Sequence, residues 1–153
     1  MGRTLERVGD TWSLMILRDA LHGLSKFDQF EKSLGVAPNI LTGRLAALVE
    51  AGFLERRPYQ ERPVRHEYVL TDLGRDFAPV LTALMAFGNR HYADEGIASF
   101  MADRQTGEAA DPIVVDRKTG REIDGDYVYT AGPAAGPFVL ARVAQVQARR
   151  RAS

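Results

Sequence analysis

A chain of 153 residues with 45% hydrophobic side chains can bury one sizeable core and carry a short appendage, and it is too small for two large domains. Its 20 Lys and Arg balance its 20 Asp and Glu, so no global basic charge announces a nucleic-acid partner and any such case must rest on local placement. The absence of cysteine excludes disulfides and thiolate metal sites, and no stretch approaches the roughly 20 apolar residues that span a bilayer or forms the apolar run of a signal peptide. A soluble, cytoplasmic protein without a membrane partner is expected.

The spacing predicts a helix from Asp10 to Leu21, with Asp10 as its cap and Trp12, Ile16, Leu17, Ala20 and Leu21 at helical intervals. Leu14 and Met15 widen its apolar surface, so this helix needs partners on more than one face. Ser25 and Asp28 read as a box-like start to a short second helix carrying Phe27, Phe30 and Leu34 and stopped by Gly35. Pro38 suits the first position of a third helix, since its fixed φ matches the turn and its missing N–H costs nothing there. Leu41, Leu45, Leu48 and Val49 are the buried stripe of that helix and Gly52 its stop. Two helices separated by so short a break, with apolar residues on both sides, are what a helix-turn-helix requires.

Strands are predicted over Phe53 to Tyr59 and Arg65 to Leu70, the second alternating His66, Tyr68 and Leu70 against Arg65, Glu67 and Val69. The polar connection from Gln60 to Pro63 makes the pair a wing. Thr71 caps a long helix from Asp72 to about Tyr92, kinked at Pro79, whose seam of Leu73, Phe77, Val80, Leu81, Leu84 and Phe87 exceeds what a small domain covers by itself. Further on, one pattern occurs twice, Asp103-Arg-Gln-Thr-Gly-Glu and Asp116-Arg-Lys-Thr-Gly-Arg, each with a Thr-Gly turn. Small hairpins are expected there, with strands over Pro112 to Asp116 and Asp126 to Thr130. Beyond Gly132 the composition turns to Ala, Gly and Arg, a mobile tail unless Phe138 to Val146 docks as a helix. The expected fold class is mainly α with small β: a winged helix-turn-helix domain over residues 1–94, a small β-hairpin appendage over 95–132 and a tail over 133–153.

Five blocks in this order, from Leu5 to Asp19, Phe27 to Phe30, Ala37 to Leu45, Leu48 to Arg57 and Tyr68 to Arg75, resemble the HxlR family of winged-helix regulators over about the first ninety residues. The resemblance implies a homodimer held by the first and last helices of the domain, double-stranded DNA as partner, the third helix in the major groove and the wing along the backbone. Many relatives carry a cysteine just ahead of this region, used in some of them for electrophile or oxidant sensing, where the present chain has Met1-Gly2-Arg3, so thiol sensing is not expected. The appendage resembles a zinc-ribbon-like extension of some relatives, with Thr106, Asp116 and Thr119 near the ligand positions. Without cysteine a metal-free version, needing no cofactor, is expected.

With the apolar stripe of the third helix inward, Asn39, Ile40, Gly43 and Ala47 lie outward and Thr42 and Arg44 lie toward the edges. The candidate base-contact residues are Pro38, Asn39, Thr42, Gly43 and Arg44, with the Asn39 amide suited to adenine and the Arg44 guanidinium to guanine. Gly43, unfavourable in a helix interior, fits a place where backbone approaches another surface. Lys26, Arg56, Arg57, Arg62 and Arg65 are candidate phosphate contacts, with Arg62 at the wing tip favoured. For any one of these arginines a surface ion pair worth about 0–1 kcal/mol competes with that role. Trp12, Met85, Phe87 and Tyr92 read either as dimer-core aromatics and packing or as the lining of a pocket for an unidentified small-molecule effector. His22, His66 and His91 lack ligand spacing, and no motif of an enzyme is present. The competing function is a winged-helix module for protein contacts, since fold alone does not establish DNA binding.

Overall fold

The computed structural model describes residues 1–151, so the last two residues of the expected 133–153 tail lie outside the described residues. The chain divides into two compact units, Met1–Pro112 and a second from Ile113 onward. In the first, α1 (Gly2–Val8), α2 (Thr11–Leu21), α3 (Phe27–Leu34) and α4 (Pro38–Glu50) precede a hairpin of β1 (Leu54–Glu61) and β2 (Val64–Leu70), followed by α5 (Asp72–Asp76) and α6 (Ala78–His91). The first helix was not anticipated from the sequence; it contributes Val8 to the core.

The core is built by the predicted stripes. Ile16 and Leu17 of α2, Phe30 of α3, and Leu41, Leu45 and Leu48 of α4 have no exposed surface, and Phe53, Leu54 and Phe77 close over them. The buried polar residues are Ser13 and, carrying a charge, Asp19 of α2, 3% exposed, whose Oδ1 accepts from Nε and Nη2 of Arg18 at 2.8 and 2.6 Å. Asp10 caps α2 as expected, accepting from the Ser13 backbone N–H at 3.0 Å. The start of α3 differs from expectation. Gln29 Oε1 accepts from the backbone N–H groups of Ser25 and Lys26, both at 3.0 Å, while the Ser25 hydroxyl donates to Glu67 of β2. A side chain one turn into the helix therefore satisfies the orphan donors, and the serine is free to tie the helix to the wing.

Helix α4 begins with Pro38 at its first position and ends in paired bonds, Gly52 N–H to Val49 O at 3.0 Å and Phe53 N–H to Leu48 O at 2.9 Å. This six-residue closure needs a left-handed residue, which Gly52 supplies at φ 79°, and it turns the chain directly into β1. The hairpin is antiparallel from Leu54↔Leu70 to Glu61↔Val64, with a bulge at Tyr59 between Pro58 and Gln60. Strand β2 meets α3 through Tyr68 N–H to Ser25 O at 2.7 Å and a Lys26↔Glu67 bridge. Thr71 accepts from Gly74 N–H at 3.1 Å, capping α5, and donates to Gly52 O at 2.6 Å, which fastens the helix start to the turn after α4.

The long helix expected from Asp72 to Tyr92 is two helices that meet at Phe77, not one helix kinked at Pro79. Proline lacks an N–H and crowds the carbonyl four residues earlier, so the break falls just ahead of it. Phe77, at the junction, is buried and packs edge-on against Phe53 with centroids 5.6 Å apart. No residue of α6 is buried: Val80, Leu84 and Phe87 are 45%, 51% and 54% exposed.

The two repeats fold alike. Asp103 Oδ1 accepts from Gln105 and Thr106 N–H, and Gly107 N–H returns to Asp103 O at 2.9 Å. Asp116 Oδ1 accepts from Lys118 N–H, and Gly120 N–H returns to Asp116 O at 2.7 Å. Each turn is closed by one bridge, Ala102↔Ala109 in the first unit and Val115↔Glu122 in the second. The strands expected over Pro112 to Asp116 and Asp126 to Thr130 are not formed as ladders; local Asx turns hold these segments instead of cross-strand pairing. In the second unit α7 (Pro137–Arg151) takes in the stretch expected as a helix from Phe138 to Val146.

Candidate nucleic-acid interface

The outward side of α4 is open. Pro38, Asn39, Ile40, Thr42, Gly43 and Arg44 are all exposed, while Ala47 is half-buried. A Cβ built on Gly43 would meet nothing within 4 Å, so no internal packing demands glycine there. Thr42 does not present a free hydroxyl: its Oγ1 donates to Pro38 O at 2.8 Å. Arg44 Nε lies 3.3 Å from Asp10 Oδ1, so the side chain expected to read bases is ion-paired with the cap of α2. Burial pushes the Asp10 carboxyl up, but hydrogen bonds from the Ser13 hydroxyl and backbone, with the charge of Arg44 and a bond from Trp12 N–H, outweigh it and hold Asp10 below the usual carboxylate value.

The wing arginines fall into two groups. Arg56 Nη2 is 3.0 Å from His66 Nδ1, and Arg57 Nη2 donates to Glu55 at 2.8 Å, which lowers the Glu55 pKa. Both are occupied by cross-strand or same-strand neighbours. Arg62 and Arg65, at the hairpin tip, are exposed, and their guanidinium groups have no protein partner among the described residues. Lys26 sits at the start of α3 with Nζ 4.7 Å from the centre of the Tyr59 ring. Tyr59 stands at the bulge of the hairpin, and no periodicity in the sequence signals its contact with Lys26. The Asp10–Arg44 pair was likewise missed, because an N-cap aspartate gives no hint of which other helix it faces.

The four aromatic and sulfur residues expected at a dimer core or effector pocket are not brought together as a set. Trp12 is half-buried against the core, whereas Phe87 meets His91 in a tilted contact and Tyr92 edge-on at centroid distances of 4.6 and 5.8 Å, and Met85 is half-buried on α6. A cavity of about 600 Å³ bordered by Leu24, Glu55, Arg57, Tyr68, Leu70 and Arg75 includes none of the four. Among the described residues no group of three or more His, Asp or Glu is placed to hold a metal. Asp116 Oδ2 accepts from the hydroxyls of Thr119 at 2.8 Å and Tyr127 at 3.3 Å. The bond from Lys118 N–H and then those from the Thr119 and Tyr127 hydroxyls hold its pKa below the usual carboxylate value. No helix among the described residues is long and apolar enough to cross a membrane.

The HxlR-like helix-turn-helix family matches residues 7–96. An uncharacterised HTH-type transcriptional regulator of Mycobacterium tuberculosis is 39% identical over 145 residues, 94% of this chain and 90% of its own. Of solved structures, PA1374 of Pseudomonas aeruginosa, assigned as a transcription factor, is 48% identical with a TM-score of 0.66 over 92% of this chain and 97% of that one. PA1607, also assigned as a transcription factor, is 35% identical with a TM-score of 0.75 over 84% of this chain and 91% of that one. The long alignments run past the winged-helix domain, so these relatives share the appendage as well. With helix-turn-helix, wing and sequence in agreement, the chain belongs to the HxlR-like helix-turn-helix family of transcriptional regulators.

Proposed function

We propose that this regulator works in the cytoplasm as a homodimer that binds a pseudo-palindromic operator, with α4 in the major groove and the wing tip on the flanking backbone. The observation that carries the reading is the open side of α4: it presents Asn39, Gly43 and Arg44 without covering structure, over a helix anchored by three fully buried leucines. A rigid helix with Asn39, Thr42, Gly43 and Arg44 outward beside Ile40 suits the depth and hydrogen-bonding pattern of the major groove. Arg62 and Arg65, lacking protein partners, are the wing groups with charge left for phosphates. Arg56, Arg57 and Lys26 have local partners, so their phosphate contacts require exchanging one contact for another. The dimer is supported by the exposed Val80, Leu84 and Phe87, which follow one another at helical spacing on α6. Trp12, Met85, Phe87 and Tyr92 would then lie at or near the dimer seam, where an effector would act.

Selection of bound duplexes from a random library at controlled salt tests the reading. Recovery of an inverted repeat is expected. Arg44→Ala should then reduce operator binding far more than binding to unrelated duplex, while Arg62→Ala should weaken both and lower the salt slope by about one unit. If folded, dimeric protein selects no sequence and neither substitution alters affinity for any duplex, DNA reading by these residues is refuted and a protein-contact module takes its place.

A further inference from the structure

Arg44 is the only Lys or Arg in α4, and an acid from a different helix stands against it. The acid is not loosely placed. Asp10 Oδ1 accepts from the Ser13 backbone N–H at 3.0 Å, and Oδ2 accepts from the Ser13 hydroxyl at 2.6 Å. Ser13 is itself buried, with 1% of its surface exposed, so the carboxylate is fixed from the core side before Arg44 reaches it. Asp10 comes closest to the guanidinium at Nε, 3.3 Å away, in an ion pair that leaves the Arg44 side chain 44% exposed. An arginine ion-paired from its Nε side has given up part of its rotamer freedom, and its Nη donors can turn toward a base edge.

Capping does not account for the charge. Serine, threonine or asparagine caps a helix about as well as aspartate, and none would place a carboxylate against Arg44. A fixed negative charge beside a DNA-reading helix also opposes the phosphate attraction that dominates nonspecific binding. Both properties favour a complex in which Arg44 finds a base over one held by the backbone.

We propose that Asp10 is a specificity-determining positioning residue: it holds Arg44 through Nε so that the Nη edge meets guanine in the major groove, and its charge disfavours complexes that lack that contact. The proposal rests on the DNA-binding reading of α4, and its ligand is the N7/O6 edge of guanine in duplex DNA.

The test uses the full chain and the duplex recovered by selection. Comparing wild type with Arg44→Ala on operators changed one base pair at a time identifies the position that Arg44 reads. Asp10→Ser then keeps the cap and removes the carboxylate. The expected result is a fold and dimer like wild type, discrimination at that position reduced about tenfold, and affinity for an unrelated duplex raised about two- to threefold. The double variant should discriminate no worse than Arg44→Ala, because the two residues act through one contact. Full discrimination in Asp10→Ser, or an equal loss on operator and unrelated duplex, overturns the proposal while leaving DNA binding intact. Unchanged discrimination in Arg44→Ala also overturns it. A wild-type protein that selects no duplex removes the DNA reading itself, and this proposal with it.

Discussion

At Gly74 a single added methyl group would strike the Phe53 carbonyl oxygen and the Leu70 side chain, while at Gly43 the same group would enter open space. Gly74→Ala should therefore cost about 2–3 kcal/mol through overpacking at the α4–β1 turn. Gly43→Ala should stabilise the fold by roughly 0.5–1 kcal/mol through helix propensity and still weaken operator binding, because its Cβ would stand where DNA backbone or base edges approach. Urea unfolding midpoints with unchanged slopes, read beside operator affinity, check both. A Gly43→Ala protein that binds as tightly as wild type would show that the close approach does not occur there. The sequence made Gly43 conspicuous, as a glycine inside a helical stripe, but not Gly74, whose need for a bare Cα comes from a carbonyl twenty-one residues earlier in the chain. The Asp10–Arg44 and Lys26–Tyr59 contacts belong to the same class. Each joins side chains whose own segments read correctly, across a distance in sequence that periodicity does not see.

Elements with strong local signals came out where the residues placed them. Pro38 opens α4, Asp10 caps α2 and Thr71 caps α5, all through bonds made within a few residues. The misreadings occurred where neighbouring signals competed. Gln29, not Ser25, satisfies the start of α3, and Pro79 divides the last helix of the domain rather than bending it. In the repeats the Asp and Thr-Gly chemistry was legible as turns, but short flanking runs with few apolar cross-strand pairs did not extend into ladders. The exposed face of α6 was foreseen as too long for one domain to cover. If α6 forms the proposed dimer seam, placing a charge on it by Leu84→Glu with Phe87→Glu should give monomer without melting the protein, since neither side chain contributes to the core. Sedimentation alongside circular dichroism distinguishes the outcomes. A charged variant that remains dimeric would place the subunit interface elsewhere.

For the whole molecule the controlling facts are a zero net charge and two compact units. With no general attraction to phosphate, affinity must come from a few placed groups, and a dimer doubles them only if both half-sites face the same side of the duplex. Half-site centres roughly 34–36 Å apart are therefore expected, about one helical turn. Inserting half a turn between them should lower affinity to that of an isolated half-site, as measured by titration at fixed salt. Equal binding with and without the insertion would mean that the subunits engage DNA independently.

The sequence by itself determined α2 to α4, the wing and the caps of α2 and α5, because these depend on apolar period, proline and glycine placement, and side-chain bonds spanning three or four residues. It also carried the family, through five ordered blocks, and the family model matches residues 7–96. Tertiary structure decided which arginines have a partner, that Gly74 has no room for a side chain and which acid faces Arg44. Those outcomes depend on how separate elements pack around one core, where a shift of a few ångströms makes or removes a contact that no single segment encodes.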